Sequence, residues 1–152
     1  MKLNGIAHIQ LTVADVKRSV RFYEPLLHAF EMTTIVKTPE IFYCVGSRTG
    51  VAISRADPEF RSDRFHQRRI GLHHFCFRAR SREDVDEIFK LIEHLDGGRI
   101  VHGPQEDGFA PGYYSILFED PDGVRIEVNY VPGKGHLDPK AKLPLADTLS
   151  EG

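Results

Sequence analysis

Ala7-His8-Ile9-Gln10-Leu11-Thr12-Val13 is a strand written in alternation, and it has a counterpart at His73-His74-Phe75-Cys76-Phe77-Arg78-Ala79. Successive side chains of a β-strand point to opposite faces. In the first stretch Ile9, Leu11 and Val13 form an apolar face, leaving His8, Gln10 and Thr12 on the other. In the second, Phe75, Phe77 and Ala79 are the apolar set, so His74 shares the opposite face with Cys76 and Arg78. One histidine thus recurs in the same phase of two related segments. A third polar intrusion lies in Val124-Arg125-Ile126-Glu127-Val128-Asn129-Tyr130, where Ile126, Val128 and Tyr130 face one way and Glu127 the other. Two imidazoles and a carboxylate on the non-core faces of three strands are the donor set of a facial-triad metal site.

On either side of these strands the chain repeats a β-α-β-β-β order. After the strand at 6–13, Asp15 is placed to cap a helix over about 16–28, with Val16, Val20, Tyr23 and Leu27 on one face. Pro25 inside that stretch predicts a kink or an early end near Glu24. Strands are expected at 31–37, 41–45 and 50–55, the last two joined by the turn-like run Gly46-Ser47-Arg48-Thr49-Gly50. In the second half a strand at 72–80 leads to Ser81-Arg82-Glu83-Asp84, a capping-box-like helix start. Val85, Ile88, Phe89, Ile92 and Leu95 mark one helix face, and Gly97-Gly98 stops it. Strands near 99–102, 113–119 and 124–130 follow, with Asp120-Pro121-Asp122-Gly123 as the closing turn. An internal repeat of this length predicts two similar modules whose sheets join.

Bulk properties narrow the function classes. The 152 residues suffice for one domain or two small modules sharing a core. A net charge of −2 argues against a general nucleic-acid binder, which needs a basic excess. No apolar run approaches the ~20 residues of a membrane span. The first strand begins almost at the first residue, which reads against a signal peptide. Two cysteines, Cys44 and Cys76, make no disulfide framework, so the expected location is cytoplasmic.

The assembled pieces resemble the vicinal oxygen chelate superfamily, which includes glyoxalase I, bleomycin-resistance proteins, fosfomycin-modifying thiol transferases and extradiol dioxygenases. The resemblance covers residues 5–131. It rests on His8 with Gln10-Leu11-Thr12-Val13-Ala14-Asp15, and on Ser19-Val20-Arg21-Phe22-Tyr23 in the helix. It continues in Gly71-Leu72-His73-His74-Phe75-Cys76-Phe77, and in Phe118-Glu119-Asp120-Pro121-Asp122-Gly123 followed by Ile126-Glu127. It implies an α+β fold of tandem βαβββ modules forming a U-shaped mixed sheet around a cavity, with helices outside. The single domain spans 1–131, with module 1 at about 5–56, a linker at 57–70 and module 2 at about 71–131; residues 132–152 form a tail. The family's metal ligands carry over onto His8, His74 and Glu127, the same three that strand parity selects. The resemblance also implies one divalent ion per site (Fe, Mn, Zn or Ni), a small-molecule substrate, and a homodimer whose paired modules form each cavity.

One departure bears on the reaction. Aligning Gly50-Val51-Ala52-Ile53-Ser54 with Gly123-Val124-Arg125-Ile126-Glu127 puts Ser54 where glyoxalase I-like members have a fourth protein ligand. A neutral hydroxyl is a poor divalent-metal ligand, so a three-ligand site would keep more positions open for water, substrate or oxygen. The sequence therefore leans toward dioxygenase-like chemistry on a small oxygen-rich substrate. Glyoxalase-type lyase or isomerase chemistry, thiol transfer, and a metal-free bleomycin-resistance-like binder are the alternatives.

Further candidates are secondary. Tyr113 and Tyr114 stand before the last hairpin, and alternation allows only one to face the cavity, where it would donate a proton or a hydrogen bond. Cys76 shares the phase of His74 and reads first as a small filler. Arg78 and Arg125 share the ligand-side faces and would meet a substrate carboxylate or Glu119. The run Gly103–Gly112 reads equally as a lid and as a plain loop. The linker's Arg61, Arg64, Arg68 and Arg69 read first as a solvated connector and second as an anion-attracting rim. The tail is expected to pack loosely, docking through Leu143 and Leu145.

Overall fold

The computed structural model describes residues 1–137. The expectation for Leu143 and Leu145 lies outside them. Two βαβββ modules follow one another. Module 1 consists of β1 (His8–Val13), α1 (Val16–Ala29), β2 (Thr33–Lys37), β3 (Ile41–Gly46) and β4 (Thr49–Arg55). Module 2 consists of β5 (Phe75–Arg78), α2 (Arg82–Ile92), β6 (Arg99–Glu106), β7 (Tyr114–Glu119) and β8 (Arg125–Tyr130). Each builds a four-stranded mixed sheet, in the orders β1-β4-β3-β2 and β5-β8-β7-β6, with β1/β4 and β5/β8 parallel. No helix among the described residues is long and apolar enough to cross a membrane.

The predicted caps form. The Asp15 carboxylate accepts from the Arg18 N–H at 2.9 Å, and the Ser81 hydroxyl from the Asp84 N–H at 3.1 Å. Each satisfies one of the donors a helix start leaves unpaired. Pro25 does not end α1, which runs on to Ala29. Its ring sits on the exposed side, while Leu26 and Leu27 beside it are fully buried, and their packing offsets the missing hydrogen bond. The helix stops through Glu31 at φ 59°, a left-handed position usually held by glycine, with the Met32 N–H returned to the Leu27 carbonyl at 3.0 Å.

The modules are joined by packing, since no strand of one sheet pairs with the other among the described residues. Phe22 packs against Phe118 at 6.3 Å and Phe30 against Phe77 at 4.8 Å between ring centroids. The 120–123 turn docks on α1: the Tyr23 hydroxyl donates to Asp120 at 2.7 Å, and Asp122 accepts from the Ala14 N–H at 3.1 Å and pairs with Arg18. Asp120 also accepts the Asp122 and Val124 N–H groups at 2.9 and 2.8 Å, while Gly123 takes the φ of 92° that completes the turn. The turn expected from composition is thus also the clasp between modules.

The Gly103–Gly112 run is not a free lid. Its first residues belong to β6, and the remainder is closed by the Asp107 N–H on the Tyr113 carbonyl at 3.0 Å and by Ser115 on the Asp107 carboxylate at 3.1 Å.

Candidate metal centre

Alternation sorts the ligand-type residues onto one face of each sheet. On β1, Leu11 and Val13 are buried while His8, Gln10 and Thr12 are exposed. On β8, Ile126 and Val128 are buried and share the apolar cluster with Val85 and Ile92 of α2, so Glu127 lies on the side away from that helix. Cys76 pairs with Glu127 in the parallel register of β5 and β8. His74 stands one residue ahead of β5, a strand shorter than sequence predicts, yet its ring still turns to the Glu127 side.

Two of the three predicted ligands meet. His74 Nε2 is 3.2 Å from Glu127 Oε2. Neighbouring donors on one divalent ion, each bound at about 2.1 Å, stand roughly 3 Å apart, so the spacing of this pair fits two of the three donors of such a site. His74 Nδ1 lies 2.7 Å from Nδ1 of His73, whose ring meets it edge-on at 5.0 Å. That contact orients the imidazole and leaves Nε2 toward the carboxylate. This His73–His74 contact is one that strand phase alone did not disclose.

The tyrosine pair divides as alternation requires. Tyr113 is buried and donates its hydroxyl hydrogen bond to Glu127 Oε1, whereas Tyr114 turns to α2, bonding Asp86 at 2.8 Å under the Arg82 guanidinium. Desolvation and the Glu127 bond push the Tyr113 phenol well above its ordinary range, so it stays protonated and keeps donating that hydrogen bond. Cys76 remains accessible as a residue, but desolvation around its sulfur and the Glu127 charge push its thiol up, so it is a protonated thiol rather than a thiolate nucleophile.

His8 is on the other sheet, opposite Gly50 in the β1/β4 register. Among the described residues no group of three or more His, Cys, Asp or Glu side chains converges to hold a metal within one chain. The register also revises the fourth position. Glu127 lies opposite Cys76, and the matching partner of Gln10 is Ala52, not Ser54. The pairing of Gly50 with Gly123 in the sequence alignment therefore runs two residues off the strand register. Ser54 instead accepts a 3.3 Å hydrogen bond from Gln10.

Residues 5–128 match the model of the Glyoxalase/Bleomycin resistance protein/Dioxygenase superfamily, and the chain belongs to that family. It is similar to the uncharacterized protein YqjT of Bacillus subtilis, 28% identical over 123 residues that cover 80% of this chain and 94% of that one. Among solved structures it is similar to a candidate glyoxalase of Bacillus halodurans, with a TM-score of 0.73, 25% identity and coverage of 84% and 96% of the two chains. The fosfomycin resistance protein FosX of Mesorhizobium loti shares the fold at a TM-score of 0.62 and 20% identity, covering 86% of this chain and 94% of its own.

Proposed function

We propose that the chain is a metal-dependent enzyme acting on a small oxygen-rich organic substrate, with each centre formed by His74 and Glu127 of one copy and His8 of a second. The 3.2 Å approach of His74 to Glu127 carries this reading. His8 is exposed on the matching face of the other module, as a residue donated to a neighbouring copy would be. A divalent ion held there supplies Lewis acidity to paired substrate oxygens. Glu127 provides the anionic ligand, and Tyr113 steadies it while holding a proton at its hydroxyl beside the reacting oxygens. His73 keeps the His74 ring in register.

Ala52 at the position matching Glu127 adds no fourth ligand, and this supports the dioxygenase-like reading by leaving adjacent coordination positions open. The Tyr113 proton supports a second reading, non-redox chemistry of the lyase, isomerase or epoxide-opening type. A screen of the iron, manganese, zinc and nickel forms against catechols, hemithioacetals and epoxides, with and without dioxygen, separates them. Turnover only of catechols, with dioxygen consumed, establishes the first; turnover in its absence establishes the second.

The shared centre has its own test. A His8→Ala chain and a His74→Ala chain each lose bound metal. Mixed, unfolded and refolded together, they recover a fraction of it, because one centre of the mixed pair has all three ligands. A mixture recovering none overturns the cross-copy assignment.

A further inference from the structure

A cavity of about 320 Å³ opens where the linker crosses the turn end of β7 and β8, and four arginines line it: Arg64, Arg69, Arg99 and Arg125. Its described lining holds one carboxylate, that of Glu119, and this side chain is buried. Arg99 reaches Glu119 Oε2 at 2.6 Å, Arg125 reaches Oε1 at 3.4 Å and Arg64 reaches Oε2 at 3.8 Å. Burial alone would raise the Glu119 carboxyl, but Arg99 and Arg125 outweigh it and hold the group below its ordinary value. Each guanidinium carries five N–H donors, so a single carboxylate leaves most of them unused. Arg69 forms no ion pair with any described residue.

The position matters as much as the charge. Arg125 is two residues before Glu127 on β8 and projects from the same face, roughly 7 Å along the strand. Glu119 is the cross-strand partner of Arg125, and Arg99 is the partner of Glu119, so the cluster forms a rung across three strands. The linker is fastened over that rung by the Phe65 N–H on the Asp122 carbonyl at 3.1 Å, which brings Arg64 against Gly123. Glu119 thus gathers the Arg99 and Arg125 guanidinium groups on the sheet face that also carries Glu127, with Arg64 at the edge, and planar guanidinium donors grouped in this way match an oxyanion.

We propose that this arginine rung is an oxyanion subsite, and that it selects substrates bearing a carboxylate or phosphoryl group one short spacer away from the oxygens that meet the metal. The selection of substrates rests on the metal-centre reading; the subsite itself does not. The linker arginines, read from sequence first as a solvated connector, here become the rim.

The test uses the full chain stripped of metal, so the two readings fail separately. Inorganic phosphate and benzoate are each titrated by calorimetry at low ionic strength. Saturable one-to-one binding is expected, with Arg64→Ala and Arg69→Ala each weakening it about tenfold, the loss of a charge-assisted hydrogen bond. Arg48→Ala, on the β3–β4 turn, is the control and leaves affinity unchanged. Tighter binding of phosphate assigns a phosphoryl substrate, and tighter binding of benzoate a carboxylate; both support the subsite. Absence of saturable binding by either anion, or equal losses in the Arg48→Ala control, overturns it. Metal binding that survives such a failure overturns this inference alone.

Discussion

The hydroxyl of Tyr23 donates to the carboxylate of Asp120 at 2.7 Å, tying the first helix to the closing turn of the second module. Both side chains are almost completely buried. Desolvation raises the Asp120 carboxyl to about 6, against the hydrogen bonds from Tyr23 and the turn that favour its charged form.

This relationship predicts an acid-side gain in stability. Between the ordinary carboxylate value and 6 the folded chain binds a proton that the unfolded chain has released, so the Asp120 contribution rises as pH falls from 6 toward 4. The difference amounts to about 3 kcal/mol across that window. Denaturant unfolding of the wild type and Asp120→Asn at pH 4, 5, 6 and 7 checks it: the wild type loses stability relative to the variant as pH rises to 6, then runs parallel. Curves parallel throughout would show that Asp120 titrates normally.

His74→Ala is expected to abolish metal uptake, since the Nε2 donor facing Glu127 is gone. His73→Ala removes only the contact at Nδ1, so metal affinity falls about 10- to 100-fold and is not lost. Elemental analysis and a competitive chelator titration read both. Equal loss would make His73 a ligand and place the strand phase one residue off.

Tyr113→Phe and Tyr114→Phe should separate chemistry from stability. Removing the Tyr113 hydroxyl frees Glu127 Oε1 and takes away the proton donor, so turnover falls at least about 100-fold while the fold persists. Removing the Tyr114 hydroxyl breaks only its bond to Asp86 on α2, costing about 1 kcal/mol with turnover retained. Steady-state rates beside unfolding midpoints distinguish the two, and a matched loss of turnover in both would contradict the division of faces.

Glu31 holds the left-handed position after α1 without being a glycine. Its only described ion pair, with Arg80, is exposed on both sides and is worth little. Glu31→Gly is therefore expected to stabilise the chain by about 0.5–1 kcal/mol, as the relief of backbone strain exceeds the added freedom of the unfolded chain. Thermal melts report the sign, and a lower midpoint would mean the pair with Arg80 outweighs the strain.

Much of the architecture was legible in the chain because it is local. Period-two alternation assigns faces to β1, β5 and β8, and caps at Asp15 and Ser81 start both helices. The proline of α1 misled because its cost is local while the burial of Leu26 and Leu27 is not. The fourth-ligand position on β4 is misplaced by two because an alignment of Gly50 with Gly123 carries no information on which residues β1 and β5 stand beside.

By itself the sequence determined which face each ligand-type side chain takes, since pleating dictates it wherever one face of a sheet is buried. Only the tertiary structure decided which of those side chains meet: that His74 reaches Glu127, that Tyr113 rather than Tyr114 joins them, and that linker arginines close over Glu119. Meetings of that kind depend on the packing of residues far apart in the chain, and a periodicity of two or 3.6 carries no information about them.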